Sequence, residues 1–264
     1  MQRLAGTVMA ALVESGRLRG GDILLEHSRG SLWGWLIRRA TGNYWNHALM
    51  VCTVRDYLSR GYDTTILVDP RMGSIRIDSL AHYLQRLDKY DFAVARLEAD
   101  WFQDDSGLRY RTAISDIALR EATDRYESRY LLRLVRRTIR QVKLAHRFIW
   151  QKGRHPKPTR RHLPRITKPL NVKAYSCSGF VQWSYYRGVS RVINAERLDR
   201  SRLKEVIFGP QLDREVSDAE LLSTTPAGLA KSDTLSWKYL VKGGTVWEVS
   251  SRQEVNSLLT KRLK

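Results

Sequence analysis

Short apolar runs at irregular intervals are the feature that most constrains how this chain can fold. His47–Val54 (HALMVCTV) is almost continuously apolar and predicts a buried strand. Shorter strands are predicted at Gly21–Leu25, Thr64–Asp69, Ser74–Asp78, Phe92–Leu97 and Thr245–Ser250. Helical patterns fall between these strands without a βαβ rhythm, so we expect an α+β fold with an antiparallel sheet.

Helical periodicity predicts the remaining elements. Helices are expected at Ser31–Ala40, Ser79–Leu87, about 105–152 and Tyr175–Tyr186. Residues 153–171 hold four prolines and predict a basic loop. At 264 residues the chain is expected to form one domain, with a basic helical and loop insertion at about 100–171.

The apolar segments are too short for a membrane-spanning helix, because no run of eighteen apolar residues occurs. Leu4–Val13 has the length of a signal-peptide core, but Glu14 follows it in place of a small-residue cleavage site, so a short amphipathic helix is predicted. Two cysteines, Cys52 and Cys177, are too few for a disulfide scaffold. These features favour a cytoplasmic or peripheral membrane location.

Positive charge is concentrated in one part of the chain. No acidic residue occurs between Glu127 and Glu196, and this stretch supplies 17 of the 19 net positive charges. Such a local excess is typical of a surface that meets an anionic partner, although a solvated helix face with a basic loop would look the same. We therefore expect that residues 129–173 contact an anionic membrane or another polyanion, or simply face solvent.

Cys177 is the candidate nucleophile. It lies at the predicted start of a helix, where free backbone N–H groups and the positive end of the helix dipole favour the thiolate form. Ser178 and Gly179 follow it, and their small size leaves room for a substrate. An inert, buried cysteine is the alternative that the sequence leaves open.

His47 is the candidate base, because it is a polar residue at the start of a strongly apolar strand. If the strand that contains His47 pairs with Thr64–Asp69 around a loop near residue 58, His47 lies directly opposite Asp69. Such a carboxylate would orient the imidazole toward the thiol. Alternatively, His47 is a core-edge histidine and Asp69 a turn residue before Pro70.

Three aromatic residues near these positions are candidates for lining a substrate cleft. Tyr44 and Trp45 precede His47, and Tyr175 precedes Cys177. Ordinary packing explains each of them equally well. Neither Cys177 nor His47 has metal-ligand spacing such as C-x-x-C or H-x-x-x-H, so no metal or cofactor is expected.

The order of these motifs resembles a known family. GDILL, TGNYWNHALMV, ILVD followed by GSIRIDSL, and the distant YSCSGFVQW are similar to circularly permuted papain-like hydrolases of the NlpC superfamily, in particular the YiiX/YebB-like group. TTPAGLAKSDTLSWKYL also resembles a C-terminal segment of that group. The likeness covers roughly 20–98 and 172–240.

The resemblance implies a papain-like fold and cysteine-hydrolase activity, with Cys177 as nucleophile and His47 as base. It places a polar third member on the strand after the histidine, where this chain has Asp69. The expected substrate is a peptide, cell-wall or lipid-derived acyl compound. The insertion at about 100–171 departs from compact members of the family.

Two other functions stay open at this stage. The first is a lipid acyl hydrolase or acyltransferase at an anionic membrane, because the predicted helix at 129–150 has an apolar stripe beside arginines. The second is a basic nucleic-acid-binding module with Trp150, His155 and Tyr175 as stacking groups, although no known nucleic-acid signature occurs.

Overall fold

A computed structural model describes residues 2–4, 12, 17–55, 63–71, 74–78, 89–121, 176–209 and 216–260. The strands are β1 (Gln2–Leu4), β2 (Ile23–Ser28), β3 (His47–Arg55), β4 (Asp63–Arg71), β5 (Ser74–Asp78), β6 (Tyr90–Leu97), β7 (Leu235–Lys242) and β8 (Thr245–Glu248). The helices are α1 (Leu32–Thr41), α2 (Asp104–Glu121), α3 (Cys177–Glu196), α4 (Arg202–Glu205), α5 (Asp218–Leu222), α6 (Pro226–Lys231) and α7 (Arg252–Thr260). A 3₁₀ turn, Asp100–Phe102, precedes α2.

The strands form one sheet in the order β1-β8-β7-β6-β2-β3-β4-β5. Every neighbouring pair is antiparallel. The predicted α+β class with an antiparallel sheet is therefore confirmed. β2 and β3 lie in the middle of the sheet, so the residues at their ends have a strand on either side.

Alternation along the central strands divides the buried residues into two clusters. Ile23 and Leu25 of β2 belong to a cluster with Phe180 of α3, whereas Leu24 between them belongs to a cluster on the opposite face with Leu49. This two-residue period is what a strand buried on both faces requires. The first cluster fixes α3 against the sheet, and Cys177 is the first residue of α3.

The predicted strands are all present, with ends that differ by a few residues. β7 was not predicted, and its own pattern explains why. Its register against β6 shifts between Val94 and Ala95, and the buried positions change from Leu235 and Trp237 to Leu240 and Val241. This bulge breaks the alternation by which a strand is recognised in a sequence.

Several sequence predictions concern residues that lie wholly or partly outside the described ranges. The helix predicted at Ser79–Leu87 lies outside the described residues, as do residues 122–175, which contain the whole basic segment 129–173. α2 covers the beginning of the helix predicted at about 105–152. Leu4 belongs to β1 rather than to a helix, and most of Leu4–Val13 is outside the described residues. The single domain with an insertion stays a prediction.

Within the described ranges, no helix is both long enough and apolar enough to cross a bilayer.

Candidate active site

Ser176 sets the position at which α3 begins. Its Oγ accepts a hydrogen bond from the N–H of Gly179 at 2.9 Å, which caps the helix. The same hydroxyl donates to the carbonyl of Thr224 at 2.8 Å. The start of α3 is thereby fixed to the segment after α5. Cys177 and Ser178 occupy the first turn, where backbone N–H groups have no partner within the helix and the helix dipole is positive.

Gly179 allows this close contact between α3 and the segment after α5. A Cβ atom at position 179 would lie 1.9 Å from the carbonyl oxygen of Leu222, a distance that no side chain tolerates. The sequence C-S-G therefore has a packing requirement at its third position. The proximity of Leu222 explains the glycine without any reference to a substrate.

His47 and Asp69 are in direct contact. His47 Nε2 lies 2.6 Å from Asp69 Oδ1, and the Asp69 side chain is fully buried. The predicted register was wrong, because Met50 pairs with Val68 and not with Ile66. Continuing the observed register places Asp69 two residues along from the position opposite His47. The pair is diagonal, which the length of the two side chains permits.

Cys177 interacts with His47, because attraction to His47 and hydrogen bonding with His47 and the backbone N–H of Ala48 lower the pKa of its thiol. The Ser178 hydroxyl lies 3.8 Å from the sulfur. Because Asp69 occupies Nε2, Nδ1 is the ring nitrogen left for the sulfur. The structure thus brings together the three residues that the sequence analysis selected for catalysis.

Electrostatic interactions within this group favour a thiolate and an imidazolium. Burial by itself would lower the pKa of His47, but the adjacent Cys177 and Asp69 raise it well above its ordinary value. Burial likewise raises the pKa of the Cys177 thiol, but attraction to His47 and hydrogen bonds from His47 and Ala48 bring it below its ordinary value.

Cys52 shows what burial does to a cysteine without such a partner. It is 0% exposed in β3, and desolvation raises the pKa of its thiol to about 12. Cys177 is similarly buried, at 3% exposure. The difference between the two thiols therefore comes from His47 and from hydrogen bonding with Ala48 and Ser178, not from solvent exposure.

Two further charged residues belong to the site, and the sequence analysis missed both. Glu26 of β2 pairs directly with His47 across the sheet and is 2% exposed. Arg71 of β4 is ion-paired with Asp69 through Nε, and its Nη2 is 3.6 Å from Glu26 Oε2. Burial raises the pKa of Glu26, against the attraction of His47 and Arg71. Glu26 ends an apolar run just as His47 begins one, so the same signal would have found it.

The aromatic candidates have structural contacts. Tyr44 donates its hydroxyl to Asp91 at 2.5 Å and stacks on His27 with ring centroids 4.0 Å apart. Trp45 is 2% exposed and lies in the main core beside Trp237. Tyr175 is outside the described residues. A role in substrate binding stays a prediction for all three.

Fold and site together define an antiparallel α+β protein with a Cys-His-Asp arrangement at a helix start. Within the described parts of the chain, no cluster of three or more His, Cys, Asp or Glu side chains has the geometry to hold a metal ion. Comparison with known proteins adds no relative, since no family model matches the chain and no curated protein is significantly similar to it.

Proposed function

We propose that this protein is a cysteine hydrolase with a permuted papain-like fold, in which Cys177 is the nucleophile, His47 the general acid and base, and Asp69 the residue that orients His47. The observation that carries the proposal is that the His47 imidazole interacts both with Asp69, 2.6 Å away, and with the Cys177 thiol. A base beside the thiol that is itself oriented by a third group is an arrangement that activates a nucleophile.

The first half of the proposed reaction forms an acyl-enzyme. The Cys177 thiolate attacks the carbonyl carbon of an amide, ester or thioester, and the resulting oxyanion accepts a hydrogen bond from the backbone N–H of Cys177. His47, protonated at Nδ1, gives its proton to the leaving group as the carbonyl–heteroatom bond breaks. An amine, alcohol or thiol departs, and the acyl group stays on sulfur as a thioester.

Hydrolysis of the thioester regenerates the site. His47 takes a proton from water, the hydroxide attacks the acyl carbon, and the carbon–sulfur bond breaks to return the thiolate. Asp69 keeps Nε2–H bonded during both halves, so that Nδ1 faces the sulfur throughout. The backbone N–H of Ser178, next in the first turn, likewise has no partner within the helix.

Alkylation of the two cysteines tests the proposed nucleophile. The intact protein is treated with iodoacetamide near pH 6, and the modified positions are found by mass spectrometry of peptides. We expect rapid modification of Cys177 and none of Cys52, whose raised pKa makes it an internal control. Replacement of His47 by Ala should slow the reaction at Cys177. Equally slow modification of both cysteines in the native protein would refute the proposal.

Turnover tests the reaction itself. Replacement of Cys177 by Ala should abolish hydrolysis of an activated ester such as p-nitrophenyl acetate, whereas replacement of Cys52 by Ala should leave the rate of hydrolysis unchanged. Both variants keep a buried apolar side chain of modest size, and thermal melting checks their folding. Activity that survives in Cys177→Ala would rule out a thioester intermediate on this residue.

A further inference from the structure

Helix α1 presents large apolar side chains to solvent. Leu32 is 69% exposed, Trp35 53% and Trp33 37%, although such residues are normally covered. The opposite side of the helix packs against the protein, because Gly34 and Ile37 are buried there. Leu32 and Trp35, three residues apart, are neighbours on the outer face of the helix, and Trp33 lies at the border with the buried side. An exposed apolar group of this kind marks a contact surface in a folded protein. We call Leu32, Trp33 and Trp35 the α1 patch.

The α1 patch is attached rigidly to the strand ends that carry the site. Arg38 of α1 donates to the carbonyl of Ser28 at 3.1 Å and to Asn46 Oδ1 at 2.8 Å. Gly34 brings the helix close, since a Cβ there would lie 2.8 Å from the Ser28 hydroxyl. Asn46 directly precedes His47. Whatever binds α1 is therefore held next to the end of the sheet at which His47 lies.

The charge around the α1 patch favours an anionic surface. Residues 28–42 (SRGSLWGWLIRRATG) contain three arginines and no acidic residue. Arg29 is ion-paired with Asp91 and Arg38 is bonded within the fold, so Arg39 is the arginine that this argument uses. Arg38 and Arg39 fall in the last turn of the helix, and Arg39 is exposed. Tryptophan beside arginine on one short helix suits the boundary between lipid headgroups and acyl chains, because the indole is apolar with one polar N–H.

We propose that α1 is an interfacial helix that inserts the α1 patch into the surface of an anionic lipid bilayer. The apolar side chains enter the acyl–headgroup boundary, and Arg39 meets lipid phosphates. The docking does not depend on the chemistry of Cys177. If the proposed hydrolase activity also holds, docking would supply it with acyl groups of lipids as substrates.

Vesicle binding by the full chain tests this proposal. Wild-type protein is sedimented with phosphatidylcholine vesicles that contain 30 mol% phosphatidylglycerol, and with phosphatidylcholine alone, at 0.15 and 0.5 M NaCl. High salt screens attraction by the basic residues 129–173 and leaves insertion of apolar side chains. We expect binding to the anionic vesicles that persists in part at 0.5 M NaCl and falls at least ~10-fold in Trp33→Ser/Trp35→Ser.

A matched variant controls for the loss of any exposed apolar surface. Ile77 and Leu108 are 53% and 50% exposed on β5 and α2, away from α1. Ile77→Ser/Leu108→Ser should bind vesicles as the wild type does, and thermal melting confirms that both double variants fold. Wild-type affinity in Trp33→Ser/Trp35→Ser at 0.5 M NaCl would overturn the proposal, as would equal losses in the two double variants.

Depth-dependent quenching separates insertion from adsorption. Brominated lipids should quench the tryptophan emission of vesicle-bound wild type, and Trp33→Phe/Trp35→Phe should bind with that quenching removed. Unchanged quenching in the Phe variant would overturn the proposal. A second pair of results would also overturn it: the wild type binds no vesicles, and it forms a dimer in solution that dissociates in Trp33→Ser/Trp35→Ser. The α1 patch would then be the contact surface between two copies of the chain. Alkylation of Cys177 is read separately, so failure of the hydrolase and failure of docking are distinguishable.

Discussion

Replacement of Asp69 by Asn is the sharpest test of how the site works. The side chain keeps its shape and can still accept a hydrogen bond from His47 Nε2, so the change removes mainly a charge. In the native site that charge lies next to the imidazole, with Nε2 and Oδ1 2.6 Å apart, and it is fully buried. We expect the thiolate–imidazolium pair to become less stable than the neutral thiol and imidazole.

The size of the effect follows from distance and surroundings. Unit charges about 4 Å apart interact by about 4 kcal/mol at an effective dielectric constant of about 20. Arg71 is paired with the same carboxylate and already offsets part of its field. We therefore expect a net loss of about 2 kcal/mol, which corresponds to about 1.5 pKa units and up to a ~30-fold lower ratio of ion pair to neutral pair.

The rate of Cys177 alkylation as a function of pH measures this loss. The acid limb of the profile should move to higher pH in Asp69→Asn, since less thiolate is present near pH 6. Asp91→Asn is the matched control, because Asp91 is also a buried carboxylate paired with an arginine, Arg29, but, unlike Asp69, it is not among the groups that raise the pKa of His47. An acid limb in Asp69→Asn that coincides with that of the wild type would refute our account of Asp69.

Two further predictions concern stability. Gly179→Ala should lower the free energy of unfolding in urea by about 3 kcal/mol or more, because its Cβ meets Leu222. Gly30→Ala has open space around it and should cost only about 1 kcal/mol, because of its positive φ. Equal losses in the two variants would contradict the packing argument. Glu26→Gln should gain stability relative to the wild type as pH rises above 4.5. Burial raises the pKa of Glu26 above its ordinary value of 4.5, so the folded protein retains a proton that the unfolded chain releases. A stability difference between Glu26→Gln and the wild type that does not change with pH would contradict this account of Glu26.

Local signals were enough to predict the elements that hold the site. α1 begins after Ser31 and ends at Gly42, which adopts φ 61°, so a serine cap and a left-handed glycine marked both ends. α3 likewise begins directly after a capping serine, since Ser176 precedes Cys177. The start of β3 at His47 was evident from the apolar run that follows.

Contacts between distant strands were harder to predict. Asp69 was selected with a register that is wrong by two residues, and the contact exists because a diagonal neighbour is within reach. No local signal determines that register, since the residues between β3 and β4 contain no tight-turn motif. Arg71 was missed for a related reason: its importance lies in contacts with Asp69 and Glu26, which only the sheet brings together.

Arg71 offsets the charge of Asp69, with which it is ion-paired, and this leads to a prediction of opposite sign to the first. In Asp69→Asn the Arg71 cation is no longer balanced by its carboxylate, and it repels the imidazolium of His47. Further replacement of Arg71 by Gln removes that repulsion. Cys177 in the double variant should therefore be alkylated faster near pH 6 than in Asp69→Asn alone.

With Arg71→Gln alone as the fourth protein, the comparison is a double-mutant cycle, which isolates the coupling between Arg71 and Asp69. Arg29 provides the control, because it pairs with Asp91 instead, and Arg29→Gln in the Asp69→Asn background should leave the alkylation rate of Cys177 unchanged. If Arg71 merely supported the fold, its loss would disturb the site further, and Cys177 in the double variant would be alkylated more slowly than in Asp69→Asn. A slower double variant would thus show that the charge of Arg71 does not repel the imidazolium of His47.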